Sequence, residues 1–247
     1  MEAKKTPVIG LPRAMLYFRY RTLWHAFFDE LGIQTVVSGP TDRAVLEQGS
    51  ARAIDEACLS LKIYLGHVEA LCGKCDYILV PRVSSFGRHR NMCTRFEALP
   101  DLVKNIFRES GQKFLSYDLD VLQKKDEASA FQALGQTLGC SPRAVRKAYK
   151  AAEKTEQAQY KGLVREQEQL YRAEGLKILI AAHSYVIEDP YIGKTVTAYL
   201  KGAGVTPIRA DLVDRDDALR HSLELSPTCK WEISREIVGS IAMHCGK

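Results

Sequence analysis

The chain has 247 residues, 46% of them hydrophobic and 26% charged, and its formal net charge is +5 at pH 7. These values are typical of a folded globular protein of one or two domains. The mild positive charge is compatible with an anionic ligand but gives no reason to expect nucleic acid as a partner. We expect no transmembrane helix, since no apolar run reaches about 18 residues, and no signal peptide, so we predict a cytoplasmic protein.

The first half of the chain alternates short apolar runs with helical patterns. The predicted strands are residues 8–11, 34–37, 77–80 and 113–115, and the predicted helices are 16–31, 59–71 and 99–107. Strands that alternate with helices indicate βαβ units and a mostly parallel sheet. We therefore predict an α/β fold, with a Rossmann- or flavodoxin-like parallel sheet domain at residues 1–125 and the strand order 2-1-3.

Residues 126–174 have no strand pattern and are rich in Ala, Gln, Glu, Lys and Arg. Ser141 and Pro142 form a good helix start, with serine as the cap and proline in the first turn. The composition of residues 143–174 favours one long, solvated helix. Because its charges are mixed rather than basic, we interpret it as a helical connector and not as a nucleic-acid-binding helix.

Strand character returns in residues 176–182 and 205–208, with a predicted helix at 191–201 between them. Residues 175–247 are therefore predicted to be a partial second α/β domain. Two strands do not make a stable sheet on their own. We expect this part to pack on the first domain or on a partner, or the chain to be a fragment.

Cysteine is the most informative residue type in this chain. The seven cysteines are residues 58, 72, 75, 93, 140, 229 and 245. An odd number in a cytoplasmic protein points to metal binding, catalysis or burial rather than to disulfides. Cys58 and Cys93 each lie where a loop meets a predicted helix, where helix-end amides and nearby cations favour the thiolate, the form that binds metal or attacks an electrophile.

These two cysteines are predicted to meet in one crevice. Ligands of open parallel sheets bind beyond the carboxyl ends of the strands, where the strand order reverses. Strand 1 leads to Arg13, strand 3 leads to Arg82 and then to Cys93, and Cys58 opens the helix before strand 3. The sequence thus predicts two thiols and two guanidinium groups at the same edge.

A basic cluster follows strand 3 and adds positive charge there. It consists of Arg88, His89, Arg90 and Arg95. Such charge could stabilise thiolates, an anionic metal cluster or a phosphate-bearing substrate. The alternative is that these are ordinary loop charges.

Three other segments have features of a binding or redox site. Cys72 and Cys75 form a CxxC, but it closes a helix and has no second pair, so we expect core or surface thiols. Gly193-Lys194 lacks the earlier glycine of a phosphate loop. The polar, aromatic loop at 183–191, which begins with His183, follows a strand and is a candidate binding loop; the alternative is a helix-capping loop.

Taken together, several stretches resemble one known family. They are residues 9–14, 55–62, 76–82, 93–96, 183–185, 189–191 and 231–239. The chain is similar to proteins related to 2-hydroxyacyl-CoA dehydratase components and to CoA-substrate enzyme activases (DUF2229-like). Ser60 and Thr94 stand where this family commonly has proline.

The resemblance implies an iron–sulfur protein with a [4Fe–4S] cluster, in which Cys58 and Cys93 fall on two ligand positions. It also implies low-potential electron transfer or CoA-ester dehydration, an ATP-dependent activase or a dehydratase subunit as partner, and an acyl-CoA as substrate. Arg13, Arg82 and Arg88 could hold a negative cluster or the phosphates of CoA, and the predicted cofactor-binding residues are Arg13, Arg82 and His183. The family's third cysteine lies in a later Cys-Gly segment, so the chain is expected to be truncated at its C-terminus. The further ligand is left open between Cys75, Cys245, a partner's residue and a non-protein ligand.

Two other functions stay open at this point. The chain could be a non-catalytic binding or assembly module of such a system without a cluster of its own. It could also be a cysteine-based enzyme with Cys58 as nucleophile. As an enzyme of the first kind, it would be a dehydratase-like lyase component.

Overall fold

The computed structural model describes residues 6–244. Its strands are β1 (Ile9–Leu11), β2 (Thr35–Val37), β3 (Tyr77–Leu79), β4 (Arg82–Ser85), β5 (Lys113–Leu115), β6 (Asp118–Asp120), β7 (Lys177–Ile180) and β8 (Thr206–Arg209). Its α-helices are α1 (Tyr17–Glu30), α2 (Arg43–Arg52), α3 (Leu59–Leu71), α4 (Thr94–Ile106), α5 (Glu127–Thr137), α6 (Pro142–Arg172), α7 (Ser184–Ile187), α8 (Gly193–Gly202), α9 (Arg215–Leu225) and α10 (Glu232–His244).

The main sheet has four parallel strands in the order β2-β1-β3-β5. The predicted α/β fold and the predicted order 2-1-3 are therefore confirmed. Helices cover the central strands, and Ile9, Leu11, Ile78 and Leu79 are completely buried. Buried parallel strands read as continuous apolar runs for this reason. Among residues 6–244, no helix is both long and apolar enough to cross a lipid bilayer.

A second parallel pair, β4-β6, continues the main sheet beyond a break at Pro81. Proline has no N–H to donate to a neighbouring strand. The ladder nevertheless resumes on both sides, because Val80 N donates to Leu115 O at 2.8 Å and Arg82 N donates to Tyr117 O at 2.9 Å. Strands 3 and 5 thus extend further toward their carboxyl ends than the sequence pattern indicates.

Aromatic side chains of α1 fill the core on one side of this sheet. Trp24, Phe27 and Phe28 are buried, and the Trp24 indole donates to the Tyr117 hydroxyl at 3.1 Å. The Phe27 and Phe131 rings meet edge to face, with centroids 4.7 Å apart. Phe131 belongs to α5, so α5 packs into the same core as the main sheet.

The long helix predicted for residues 143–174 is confirmed as α6, and it contacts both parts of the molecule. Its first half buries Val145, Ala148 and Ala152 in the core of the main sheet. In its second half, Gln167 donates to Arg209 O and accepts from Arg209 N, which ties it to β8. The helix therefore packs against both the main sheet and the second parallel sheet. The predicted domain limits at residues 125 and 174 stay a prediction.

The strands β7 and β8 form a separate two-stranded parallel sheet. We call residues 175–244 the second lobe. This lobe packs on the first through α10, where Glu236 accepts from the two terminal guanidinium nitrogens of Arg19 at 2.7 and 2.9 Å. Glu232, which is completely buried, forms an ion pair with Arg90. The lobe thus packs on the first domain, one of the outcomes that its two strands led us to expect.

Helices α2 and α3 pack closely because each has a glycine where it meets the other, Gly49 on α2 and Gly66 on α3. A Cβ built on Gly66 would lie 1.9 Å from Val45 O, and one on Gly49 would lie 1.8 Å from Lys62 O. Since both obstacles are backbone atoms, neither can rotate away. This contact fixes α3, and with it the loop that carries Cys58.

Substitution Gly66→Ala is expected to destabilise the fold by about 3 kcal/mol, because the two helices must separate. The matched control is Gly162→Ala in α6, where an added Cβ meets nothing within 4 Å. The control should be neutral or gain up to about 1 kcal/mol from better helix propensity. Urea unfolding of the three proteins measures both effects. Equal stability of the two variants would contradict the close contact.

Candidate thiol site at the carboxyl edge of the sheet

Cys58 and Cys93 are the N-cap residues of α3 and α4. Both helices precede strands of the parallel sheet and return against its direction, so both begin at its carboxyl edge. Neither thiol makes a capping hydrogen bond with its own helix. Cys58 is exposed and Cys93 is partly exposed. Both cysteines therefore lie at the helix starts that the sequence indicates, and neither residue is fully buried.

Tyr185 of the second lobe lies within electrostatic reach of both Cys58 and Cys93. It belongs to α7, which follows the carboxyl end of β7. Burial raises the pKa of Tyr185 well above its ordinary value, and negative charge on Cys58 and Cys93 raises it further. Two cysteines that are distant in sequence thus act on the charge of one phenol, which brings the first lobe's thiols and the second lobe's loop into the same region of the molecule.

Aromatic rings surround this phenol. The His183 ring stacks on the Tyr185 ring, with centroids 4.9 Å apart and an interplanar angle of 23°. On α4, Phe96 approaches the same ring at 6.3 Å and 66°. Burial lowers the pKa of His183, so its imidazole is neutral at neutral pH, and its Nδ1 has no hydrogen-bond partner. One wall of the thiol site is therefore aromatic and uncharged.

Arg13 follows β1 at the same edge of the sheet. Its backbone N–H donates to Ser38 Oγ at 2.8 Å, which fixes the start of the turn. Its Nε is buried without a partner, and the side chain makes no ion pair with any described residue. The charge acts on the pKa values of Tyr17 and His67. Arg13 thus carries an uncompensated positive charge beside the crevice, and its role in cofactor binding stays a prediction.

Arg82, in contrast, is fully engaged within the protein. It donates to Glu97 O at 2.7 Å and to Asp101 at 2.9 Å, and Asp118 lies 3.4 Å from its Nε. These partners neutralise the charge and hold α4 against β4 and β6. To bind a cofactor, Arg82 would have to break its interactions with Asp101 and Asp118. Its role in cofactor binding therefore also stays a prediction.

The predicted basic cluster is only partly available. Arg90 is paired with the buried Glu232, so its charge is compensated. His89 has a positive φ of 60°, and its carbonyl accepts from Arg235 at 2.8 Å. Within residues 6–244, Arg88 and Arg95 take part in no ion pair and remain as free positive charge near Cys93.

The remaining cysteines lie elsewhere. Cys72 and Cys75 follow the C-terminus of α3, about 20 Å along the helix from Cys58. Burial raises the pKa of Cys75 to about 11, and its Sγ lies against Leu71 O and Gly10. Cys245 is outside the described residues. Across residues 6–244, no three or more His, Cys, Asp or Glu side chains come together in a way that could bind a metal ion.

The loop at 183–191 joins the two lobes through a buried hydrogen-bond network. Thr41 donates its hydroxyl proton to Asp189, and the Thr41 oxygen lies 2.9 Å from His67 Nε2. Since Thr41 has only one proton, His67 donates from Nε2, which leaves its buried Nδ1 unprotonated and without a partner. Asp189 also accepts hydrogen bonds from Tyr191 N and Ile192 N. These backbone N–H groups are therefore not free to bind a phosphate, as those of a phosphate loop would be.

His67 should make the protein sensitive to acid. Burial, followed by repulsion from Arg13, lowers the pKa of His67 to about 4 from 6.5, although Asp189 and Asp42 oppose this change. Between these values the unfolded chain holds the proton and the folded chain does not, so stability falls as the pH falls from 6.5 to 4. The contribution is about 3 kcal/mol.

The test compares the unfolding free energy of wild type and His67→Gln at pH 7 and pH 4. The advantage of wild type over the variant should shrink by that amount at pH 4. Parallel pH profiles of the two proteins would show that His67 is not responsible.

Thiol reactivity should follow exposure and protonation. We expect iodoacetamide at pH 8 to label Cys58 first and Cys75 last, because Cys75 is almost entirely the unreactive thiol at that pH. Peptide mass spectrometry measures the order, and the urea-unfolded chain, in which all thiols should react, is the control. Uniform labelling of the folded chain, or early labelling of Cys75, would contradict the site geometry.

Tyr185 and Phe96 are site residues that the sequence alone did not single out. Tyr185 lay within the candidate loop at 183–191, yet nothing in its spacing links it to Cys58 or Cys93. Only the packing of the second lobe on the first brings it there. Phe96 could have been found from its position three residues after Cys93, since residues three apart share a helix face.

Comparison with known proteins agrees with the resemblance noted from the motifs. A family model described as the CoA enzyme activase uncharacterised domain (DUF2229) matches residues 8–213. Searches of curated proteins and of solved structures gave no match. The matched residues include both N-cap cysteines and the aromatic loop of the second lobe. Because the match covers much more than half of the chain, this protein belongs to the CoA enzyme activase uncharacterised domain family.

Proposed function

We propose that Cys58 and Cys93 are two thiolate ligands of an iron–sulfur centre, of the [4Fe–4S] type, in a protein related to 2-hydroxyacyl-CoA dehydratase and activase systems. The observation that supports this most is the pair of uncapped N-cap thiols beside one phenol. Family membership supports a relation to CoA enzyme activation. The chain would act in low-potential electron transfer or in CoA-ester dehydration.

The donor set fits such a centre in part. Thiolates are the ligands that iron–sulfur clusters use, and two are available here. No third ligand from residues 6–244 joins them in a metal-binding group. Cys75 is at the opposite end of α3 from Cys58, so it is a poor candidate for the third position. The remaining ligands would come from Cys245, from a partner's residue or from a non-protein molecule.

The residues around the sulfurs suit an anionic group. When bound, an iron–sulfur centre supplies one-electron transfer at a potential that its ligands, hydrogen bonds and burial set. The N-terminal dipoles of α3 and α4 stabilise negative charge at the two sulfurs. His183, Tyr185 and Phe96 add an aromatic cluster, in which His183 stacks on Tyr185 and Phe96 packs against it edge to face.

Arg13 offers a guanidinium for an anionic substrate group, such as a phosphate of an acyl-CoA. The partner would be an ATP-dependent activase or a dehydratase subunit. The six described cysteines are all free thiols, which supports the proposed reducing, cytoplasmic location.

The proposal predicts that iron and acid-labile sulfide depend on these two cysteines. The chain is purified and reconstituted anaerobically, together with the variants Cys58→Ala and Cys93→Ala and the control Cys140→Ala. Each of the first two should lose most of the bound iron and sulfide, while the control keeps the wild-type amount. Unchanged iron content in Cys58→Ala and Cys93→Ala would refute the ligand assignment.

A second candidate is a non-catalytic binding or assembly module. The specific observation in its favour is that the described residues supply only a two-cysteine set. Size-exclusion chromatography with a candidate activase separates the two functions. A stable complex that contains no iron under anaerobic conditions would support the module, and a complex that contains iron would support the first proposal.

A further inference from the structure

A large groove lies on the second lobe, between α6 and α8 and above β8, and none of the thiol-site residues lines it. Its volume is about 660 Å³, within the range of small-molecule sites in proteins. The apolar part of its lining comes from Leu163, Leu170, Ile187, Val205, Pro207 and Leu212. Described residues contribute no aromatic side chain to this lining, so the groove offers nothing on which a nucleobase could stack.

Two lysines border the groove on one side. Lys194, Thr197 and Lys201 follow one another on α8 at spacings of three and four residues, which places them on the same helix face. Neither lysine takes part in an ion pair within residues 6–244. Both ammonium groups are therefore available to a ligand in the groove.

The other charges of the lining do not compensate them. Arg209 and Glu188 form an ion pair with each other at 2.8 Å, and Asp211 also binds Arg209. Glu166 of α6 also lines the groove and takes part in no ion pair within residues 6–244, so one carboxylate stands against two lysines. The groove thus combines an aliphatic floor with an excess of positive charge along one rim.

We propose that this groove binds an aliphatic carboxylate, with its hydrocarbon chain on the apolar floor and its carboxylate between Lys194 and Lys201. An inorganic anion alone would leave the floor exposed to water. An uncharged hydrocarbon would leave the two ammonium groups without a counter-ion. Only a ligand with both parts matches the whole surface, and this assignment is independent of the iron–sulfur proposal.

The test uses octanoate as the probe, with isothermal titration calorimetry of the full chain. Octanol supplies the chain without the charge, and inorganic phosphate supplies charge without the chain. The main variant is Lys194→Glu with Lys201→Glu, and Lys194→Gln with Lys201→Gln removes the charge without reversing it. The control, Lys154→Glu with Lys161→Glu, makes the same charge change at two exposed positions of α6 that do not line the groove.

Octanoate should bind wild type saturably at one site and bind both groove variants about tenfold more weakly or worse. The control should keep the wild-type affinity, and octanol and phosphate should bind much more weakly than octanoate. Cys58→Ala should leave octanoate binding unchanged, so the failure of one proposal is distinguishable from the failure of the other. The proposal is overturned if wild type shows no saturable binding, if the control weakens as much as the groove variants, or if octanol or phosphate binds as tightly as octanoate.

Discussion

The direction of the parallel strands is the constraint on which the candidate site depends. Because β1, β3 and β5 all run the same way, each helix that returns between them must begin at the carboxyl edge of the sheet. Cys58 and Cys93 are the residues immediately before two such helices, so a long separation in sequence becomes proximity in space. The same rule acts in the second lobe, where the carboxyl end of β7 leads to His183 and Tyr185. The direction of the strands, rather than any local sequence motif, therefore determines which residues lie at the carboxyl edges of the two sheets.

Packing of the second lobe on the first completes this arrangement. Tyr185 comes into the electrostatic range of Cys58 and Cys93 because α10 and the loop at 183–191 are held in place. Buried carboxylates of α10 pair with Arg19 and Arg90, and a hydrogen-bond network joins Asp189 to Thr41. Such pairs contribute little net stability relative to apolar contacts, but the loss of one partner leaves a buried charge uncompensated. They therefore favour one docked position of the lobe, and the chemistry at the sulfurs is linked to interactions far from them.

Periodicity was sufficient to predict the main sheet, because its buried strands are continuous apolar runs. It did not reveal α2, which buries only Val45 and Gly49, and it did not separate α5 from the helical connector. Asp42 and Asp126 cap these two helices, and each accepts from a backbone N–H three residues later. The positions of Cys58 and Cys93 at helix starts could also be predicted, because capping is local. The engagement of Arg82 by two carboxylates and the approach of Tyr185 could not, because both depend on contacts between elements that are distant in sequence.

The central claim, that the Cys58 and Cys93 sulfurs face one common space, is tested most directly by a short bifunctional thiol reagent. Dibromobimane becomes fluorescent when both of its arms have reacted. We expect the folded protein to become fluorescent, with one bimane joining the peptides that contain Cys58 and Cys93, and expect this product to be absent from Cys58→Ser and Cys93→Ser. Single-arm adducts on Cys58 without fluorescence, or a bridge that joins other cysteines, would contradict the account.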